Sequence, residues 1–249
     1  MERIFPAKVL NAFAPANESI RGIPSNFKKH HTVKKICFVF AVLFVTMLYT
    51  RALAQKNSAQ NPIIYADVPD MSMIRVGDTY YMSSTTMHMS PGVPIMESKD
   101  LVNWHIVSYA YDILANIDAL NLNNGKSAYG RGSWASSIRY HDGTFYVSTF
   151  SQTTGKTYVY STKDIEKGSW NVSSFSPSFH DNSLFFDDDG RVYMIYGNGK
   201  LRLVELNADA SGAKPGGIDQ VLIENASAPA GSNIGLGAEG SQLFKVHGT

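Results

Sequence analysis

The sequence predicts an all-β propeller, and three observations carry that reading. Phe179 to Gly197 has the grammar of a β-hairpin: an acid, Asp181, two residues before Ser183, a short apolar run, the turn Asp189-Gly190, and a second run rich in Val, Tyr and Ile. The same order recurs three times. It runs from Asp70 through Val76-Gly77-Asp78 into Thr79-Tyr80-Tyr81, and from Trp134-Ala135 through His141-Asp142-Gly143 into Thr144-Phe145-Tyr146. It opens again at Glu239-Gly240-Ser241, with a turn expected at Val246-His247-Gly248. Repeats at blade-sized intervals are how a propeller shows itself in sequence. Third, hydrophobic residues make up 44% of the 249-residue chain and aromatics 12%, enough to fill layers between blades.

Taken in order, the chain begins with an address. Lys28, Lys29, Lys34 and Lys35 precede the apolar run Ile36 to Tyr49, and Ala52-Leu53-Ala54 supplies a small-x-small cleavage site. Residues 1–54 therefore read as an N-terminal extension and secretory signal peptide cleaved after Ala54, which predicts a secreted or periplasmic protein with no membrane segment after cleavage. The apolar run is shorter than the roughly 20 residues of a spanning helix. Met1 to about His31 make the basic region unusually long, and a start codon further downstream would account for them. Cys37, the single cysteine, lies inside the signal, so the mature chain is expected to have neither disulfide nor thiol chemistry.

Residues 55–60 form a polar linker, and 61–249 the partial propeller domain. In the first blade the pattern predicts an inner strand over Met71 to Arg75, then strands over Thr79 to Thr86, Val93 to Glu97 and His105 to Tyr109. Trp104 and Trp170 close equivalent turns before the outer strands of blades one and two, and read as packing residues. The long link from Asp112 to Ser133, rich in Asn, Gly and Ser, reads as a rim loop over a site. Blade three continues with Arg191 to Tyr196, Leu201 to Leu206 and Val221 to Glu224. The small, flexible run from Ala226 to Gly237 then delivers Glu239. Net charge is +1, which gives no footing for a nucleic-acid partner.

Inner strands of a propeller run side by side around the axis, so equivalent positions at their starts face one another. Asp70, Asp181 and Glu239 hold equivalent positions on three repeats, with Ala135 in the fourth, and three carboxyls should converge. Such a group either binds metal or does acid/base work. A hard cation wants more oxygen ligands than three, and the local cluster Asp187-Asp188-Asp189 reads as a solvated turn, so no metal set is assigned. Glycoside hydrolysis needs one carboxyl to protonate the leaving oxygen and another to activate water or attack the sugar carbon. A third carboxylate beside the acid would keep it protonated by like-charge repulsion.

The motifs Asn61-Pro62, Pro69-Asp70-Met71-Ser72, Val76-Gly77-Asp78-Thr79-Tyr80-Tyr81, Pro91-Gly92-Val93, Ser98 to Trp104, Phe179 to Phe185 and Glu239-Gly240 together resemble glycoside hydrolase family 43. The resemblance covers Asn61 to Thr249. It implies a five-bladed propeller and an inverting enzyme, an α-L-arabinofuranosidase or β-xylosidase acting on hemicellulose- or pectin-derived oligosaccharides. It further implies that Asp70 is the general base, Glu239 the general acid, and Asp181 the carboxylate that tunes and orients the acid. Trp134 would wall the subsite of the non-reducing sugar. Met87 and Met89 stand where xylosidase-like members carry aromatics beside the sugar, which leaves the substrate open between the two classes. Met71 replaces a family Pro, and Ser137 replaces a family Asp outside the catalytic three.

The chemistry requires no cofactor, and the sequence leaves a structural calcium in the funnel open. Three blades and one strand cannot close a five-bladed ring, so a chain ending at Thr249 is expected to be a fragment, unstable or inactive alone. The alternative to an enzyme is a non-catalytic carbohydrate-binding propeller or an inactive remnant.

Overall fold

The structure is a computed structural model that describes residues 38–44, 59–87 and 90–246. The chain divides into two units, Met1–Lys56 and Asn57–Thr249. Within the first, residues 38–44 are helical, and no helix among the described residues is long and apolar enough to cross a membrane. The rest of the expected signal peptide, including its cleavage site, lies outside the described residues.

The second unit is three four-stranded antiparallel sheets, each a simple meander in chain order. The first holds β1 (Ser72–Val76), β2 (Thr79–Ser83), β3 (Gly92–Ser98) and β4 (His105–Tyr111). The second holds β5 (Ser137–His141), β6 (Thr144–Ser151), β7 (Lys156–Thr162) and β8 (Asn171–Phe175), and the third β9 (Ser183–Phe186), β10 (Val192–Asn198), β11 (Lys200–Leu206) and β12 (Asp219–Ile223). The predicted hairpins are present. β1 and β2 pair from Ser72 with Ser83 to Val76 with Thr79, leaving Gly77-Asp78 as a two-residue turn. β5 and β6 close through Asp142 and Gly143, both at positive φ, as a turn matched to the strand twist requires. The third hairpin is wider than a bare Asp-Gly turn. The backbone N–H of Asp187 donates to Arg191 O at 2.9 Å, so the acidic run occupies a longer exposed loop.

Burial follows the layering. Central strands β6 and β10 are buried over most of their length, whereas outer strands β8 and β12 stay largely exposed. One core gathers Val93, Ile95, Tyr111, Ile138, Val147 and Tyr160 from the first two sheets, and another gathers Val159, Leu184, Val192, Met194, Val204 and Leu206 from the second and third. Each such side chain contributes about 1.5–3 kcal/mol by leaving water. Trp170 packs on the first core, as expected of it, while Trp104 closes its own turn by donating Nε1 to Leu101 O at 3.1 Å.

The serine of the repeat has a structural reason. Ser72, Ser137 and Ser183 are all buried, and they stitch each inner strand to the next. Ser72 Oγ accepts the backbone N–H of Ile138 at 3.2 Å, and Ser137 Oγ accepts that of Leu184 at 3.4 Å. β1 thus touches β5, and β5 touches β9, side by side around a common axis.

Two expectations are corrected and a third is refined. The second strand ends at Ser83 rather than Thr86, because the chain there turns to bind the rim: Ser84 Oγ and the Thr85 N–H both donate to Pro69 O, at 2.7 and 3.2 Å. The 112–133 link, expected as a rim loop over a site, lines a cleft through Gly130 and Arg131 and is also packed, since Leu114, Leu120 and Ala128 are buried in the first core. Finally, no strand is formed over 239–246. An inner strand takes its ladder from the second strand of its own hairpin, and no described residue after Gly240 supplies one. The turn expected at 246–248 falls largely outside the described residues.

Candidate active site

The residue before each acid position is pinned in the same way in all three blades. Pro69 O is held from the far end of β2, Trp134 O accepts Thr149 Oγ1 at 2.8 Å from β6, and His180 O accepts the Gly197 N–H at 2.9 Å from β10. Asp70 and Asp181 then adopt a left-handed backbone, φ 50° and 48°, before the chain enters β1 and β9. Non-glycine residues held there cost roughly 1–3 kcal/mol and collect at functional sites, and Asp is among the side chains that tolerate the region best.

The two acids share the wall of a cavity of about 140 Å³ with Ala135, Ser136, Gly240 and Ser241. Glu239 arrives from the 225–246 segment and is held by a clamp at the β10–β11 turn. Gly199 N–H donates to Ala238 O at 2.8 Å, and Asn198 Nδ2 donates to Glu239 Oε2. His180 Nε2 lies 2.8 Å from the same oxygen and 3.8 Å from Asp181 Oδ1. One polar atom from each of His180, Asp181 and Glu239 falls within 4.8 Å of the others. Their side chains are 35%, 12% and 22% exposed, which leaves the group half-shielded yet open to a ligand.

Electrostatics favour protons here. Burial raises the Asp70 carboxyl above its ordinary value of 3.8, helped by the charges of Glu239 and Asp67. Burial also raises Asp181; the nearby His180 opposes that rise, while the charges of Glu239 and Asp70 add to it. One nitrogen and two carboxylates fall short of the six to eight oxygens a calcium ion takes, and Glu239 Oε2 is already engaged by Asn198 and His180. The arrangement suits proton transfer. The Asp187–Asp189 turn stands apart, with Asp187 and Asp188 each bonded to Lys245 at 2.7 Å, and Asp189 to Arg191.

The structure therefore brings together Asp70, Asp181 and Glu239, as the repeat comparison expects. Trp134 lines a neighbouring cleft of about 340 Å³ with Gly130, Arg131, Gln152 and Thr153, while the next residue, Ala135, lines the acid cavity. Met87 is tied to the strand entry of Trp134, its N–H donating to Ser133 O at 3.0 Å and its carbonyl accepting from Gly132. Met89 and His88 lie outside the described residues. The strand alternation rule places His180 on the face opposite Asp181, as a packing residue. That is overturned: the ring is at the site. Asp181 is in a turn and not in a strand, so alternation does not apply until Ser183. His180 and Asn198 are the functional candidates that sequence reasoning missed. The available signal was positional, because His180 occupies the same repeat position as Pro69 and Trp134.

A family model for glycosyl hydrolases family 43 matches residues 59–249. The chain belongs to glycosyl hydrolase family 43. A β-xylosidase of Formosa agariphila is 33% identical over 203 residues, covering 76% of this chain and 32% of that protein. A non-reducing end α-L-arabinofuranosidase of Bacteroides ovatus is 32% identical over 166 residues, 66% of this chain and 30% of its own. Among solved structures, the bifunctional GH43-CE of Bacteroides eggerthii shares 72% identity with a TM-score of 0.73, over 76% of this chain and 24% of that one. Family 43 neighbours are five-bladed propellers, of which the described residues here form three blades. The chain spans about a third of the length of the curated relatives it matches. Hydrolases of this family generally need no cofactor for catalysis.

Proposed function

We propose that this chain carries the catalytic carboxyls of a secreted glycosidase that removes arabinose or xylose units from hemicellulose- or pectin-derived oligosaccharides with inversion, as an α-L-arabinofuranosidase or β-xylosidase. The observation that carries the reading is the meeting of Asp70, Asp181 and Glu239, from three repeats far apart in sequence, at one half-shielded site.

In this mechanism Asp70 takes a proton from water as the water oxygen bonds to the anomeric carbon. Glu239 gives its proton to the glycosidic oxygen as the carbon–oxygen bond breaks and the electron pair stays on that oxygen. The products are the free sugar and the shortened alcohol. Solvent then returns Asp70 and Glu239 to their starting states. A raised Asp70 is a stronger base than an ordinary carboxylate, which helps it accept the water proton. Asp181 lies 3.8 Å from the His180 Nε2 that holds Glu239, and so helps to orient the acid. Trp134 offers an aromatic wall next to the cavity, and Met87 with Met89 would border the sugar where related enzymes carry aromatics. The signal sequence delivers the protein outside the cytoplasm, and a mature N-terminus at Gln55 would support that.

The test is hydrolysis of nitrophenyl arabinofuranoside and nitrophenyl xylopyranoside by the chain, beside Glu239→Gln. Release from one sugar that disappears in the variant supports the assignment and selects the substrate class. Saturable binding of xylo- or arabino-oligosaccharides with no release in either protein would instead make this a carbohydrate-binding module.

A further inference from the structure

We propose that His180 is a positioning residue for the general acid: its Nε2 holds one oxygen of Glu239, so that the other oxygen is the one that carries the transferred proton. The proposal rests on the assignment of Glu239 as the acid.

Both hydrogen bonds shown on the Glu239 carboxyl fall on Oε2, one from Asn198 Nδ2 and one at 2.8 Å from His180 Nε2. With the proton on Nε2, both groups donate. A neutral carboxyl accepts through its carbonyl oxygen and donates through its hydroxyl oxygen. Two donors on Oε2 therefore make it the carbonyl oxygen, and the proton resides on Oε1. During hydrolysis that proton passes from Oε1 to the glycosidic oxygen as the bond to the sugar breaks.

The imidazole can do this because it is itself held. The carbonyl of His180 accepts the Gly197 N–H at 2.9 Å, and its ring meets Phe150 edge-on, centroids 5.1 Å apart and planes at 61°. Its direction is set by packing rather than by Glu239. A glutamate side chain left free samples many rotamers, and ordering one costs up to about 2 kcal/mol. A donor misplaced by about 1 Å can lose on the order of 100-fold in rate. The charged groups that face this contact are Asp181 and, through the shared field, Asp70, both acidic.

The experiment compares wild type, His180→Leu and His180→Gln on aryl glycosides with graded leaving groups. A good leaving group such as 2,4-dinitrophenolate needs little protonation, whereas a methoxyphenolate depends on the acid. His180→Leu should lose about 10- to 100-fold in kcat on the poor leaving group, less than about threefold on the good one, and leave KM nearly unchanged. His180→Gln, which keeps a donor at similar reach, should recover most of the loss. Equal losses on both leaving groups would mean a merely structural role and overturn the proposal. If wild type cleaves nothing, side-chain couplings measured by NMR decide this point separately from the activity assignment. One Glu239 rotamer in wild type and averaging in His180→Leu supports positioning; one rotamer in both proteins overturns it.

Discussion

Ser72 and Ile138 join two blades through a single hydrogen bond, the Ile138 N–H donating to Ser72 Oγ at 3.2 Å, with both residues buried. The bond sits two residues after Asp70, and its counterpart from Ser137 to Leu184 joins the next pair of blades. The hydroxyl that marks the repeat in sequence thus sets the spacing between inner strands, and with it the distance over which acids at their starts can meet.

Replacing that hydroxyl should be costly. Ser72→Ala leaves the Ile138 N–H buried without a partner, and a loss of about 1–3 kcal/mol is expected from urea unfolding. Ser137→Ala should cost a similar amount through Leu184. A change under a few tenths of a kcal/mol for both would remove the stitch from the account of blade spacing.

The raised carboxyls predict how stability responds to pH. Asp70 and Asp181 bind protons more tightly folded than unfolded, so between the ordinary value of 3.8 and their higher folded values the native state holds more protons. Stability contributed by these two groups therefore falls as pH rises through that window and is lowest above it. Asp181→Asn should unfold at higher urea than wild type at pH 7, with the advantage shrinking to nothing near pH 3. An advantage that persists at pH 3 would point to a cause other than charge.

Gly237 is the hinge point of the acid's clamp. A Cβ there would lie 2.1 Å from Asn198 Oδ1 and 3.1 Å from the Gly199 nitrogen. The Asn198 amide can move away only by giving up its bond to Glu239. Gly237→Ala should therefore lower kcat by about 10-fold or more, with a smaller effect on KM. Turnover equal to wild type would show that Asn198 does not hold the acid.

Arg139 anchors the segment that follows Glu239. Its guanidinium donates to Leu184 O at 2.8 Å, Ile138 O at 2.7 Å, Ser183 Oγ at 2.8 Å and Gln242 Oε1 at 3.2 Å, and it lies 5.2 Å from the centre of the Phe244 ring. Burial lowers its pKa to about 10. A lysine cannot span four acceptors, so Arg139→Lys should cost about 1–3 kcal/mol and release residues 239–246 to fast amide exchange. Unchanged protection over that stretch would show that other contacts fix it.

The hairpins were legible because their signals are local: Asp142, Gly143 and Gly77 take positive φ, and their flanks are strand formers. Strand ends were less so. Thr85 carries β-propensity, yet it and Ser84 leave the sheet and donate instead to Pro69 O. The fourth inner strand could not be read correctly from its motif alone, since a strand's stability lies in the ladder it joins and not in its own residues.

The repeat, the all-β class and the three acids at equivalent starts can be read from residue order alone, because a period of turns and alternating residues is written into the chain. Which groups surround those acids was settled by packing in three dimensions. His180 reaches Glu239 because Asp181 turns left-handed and breaks the alternation that would have sent the imidazole away, and Asn198 reaches it because a bare Gly237 lets two turns touch. Contacts of that kind depend on backbone directions set by neighbouring blades, and directions in space are not carried by residue order.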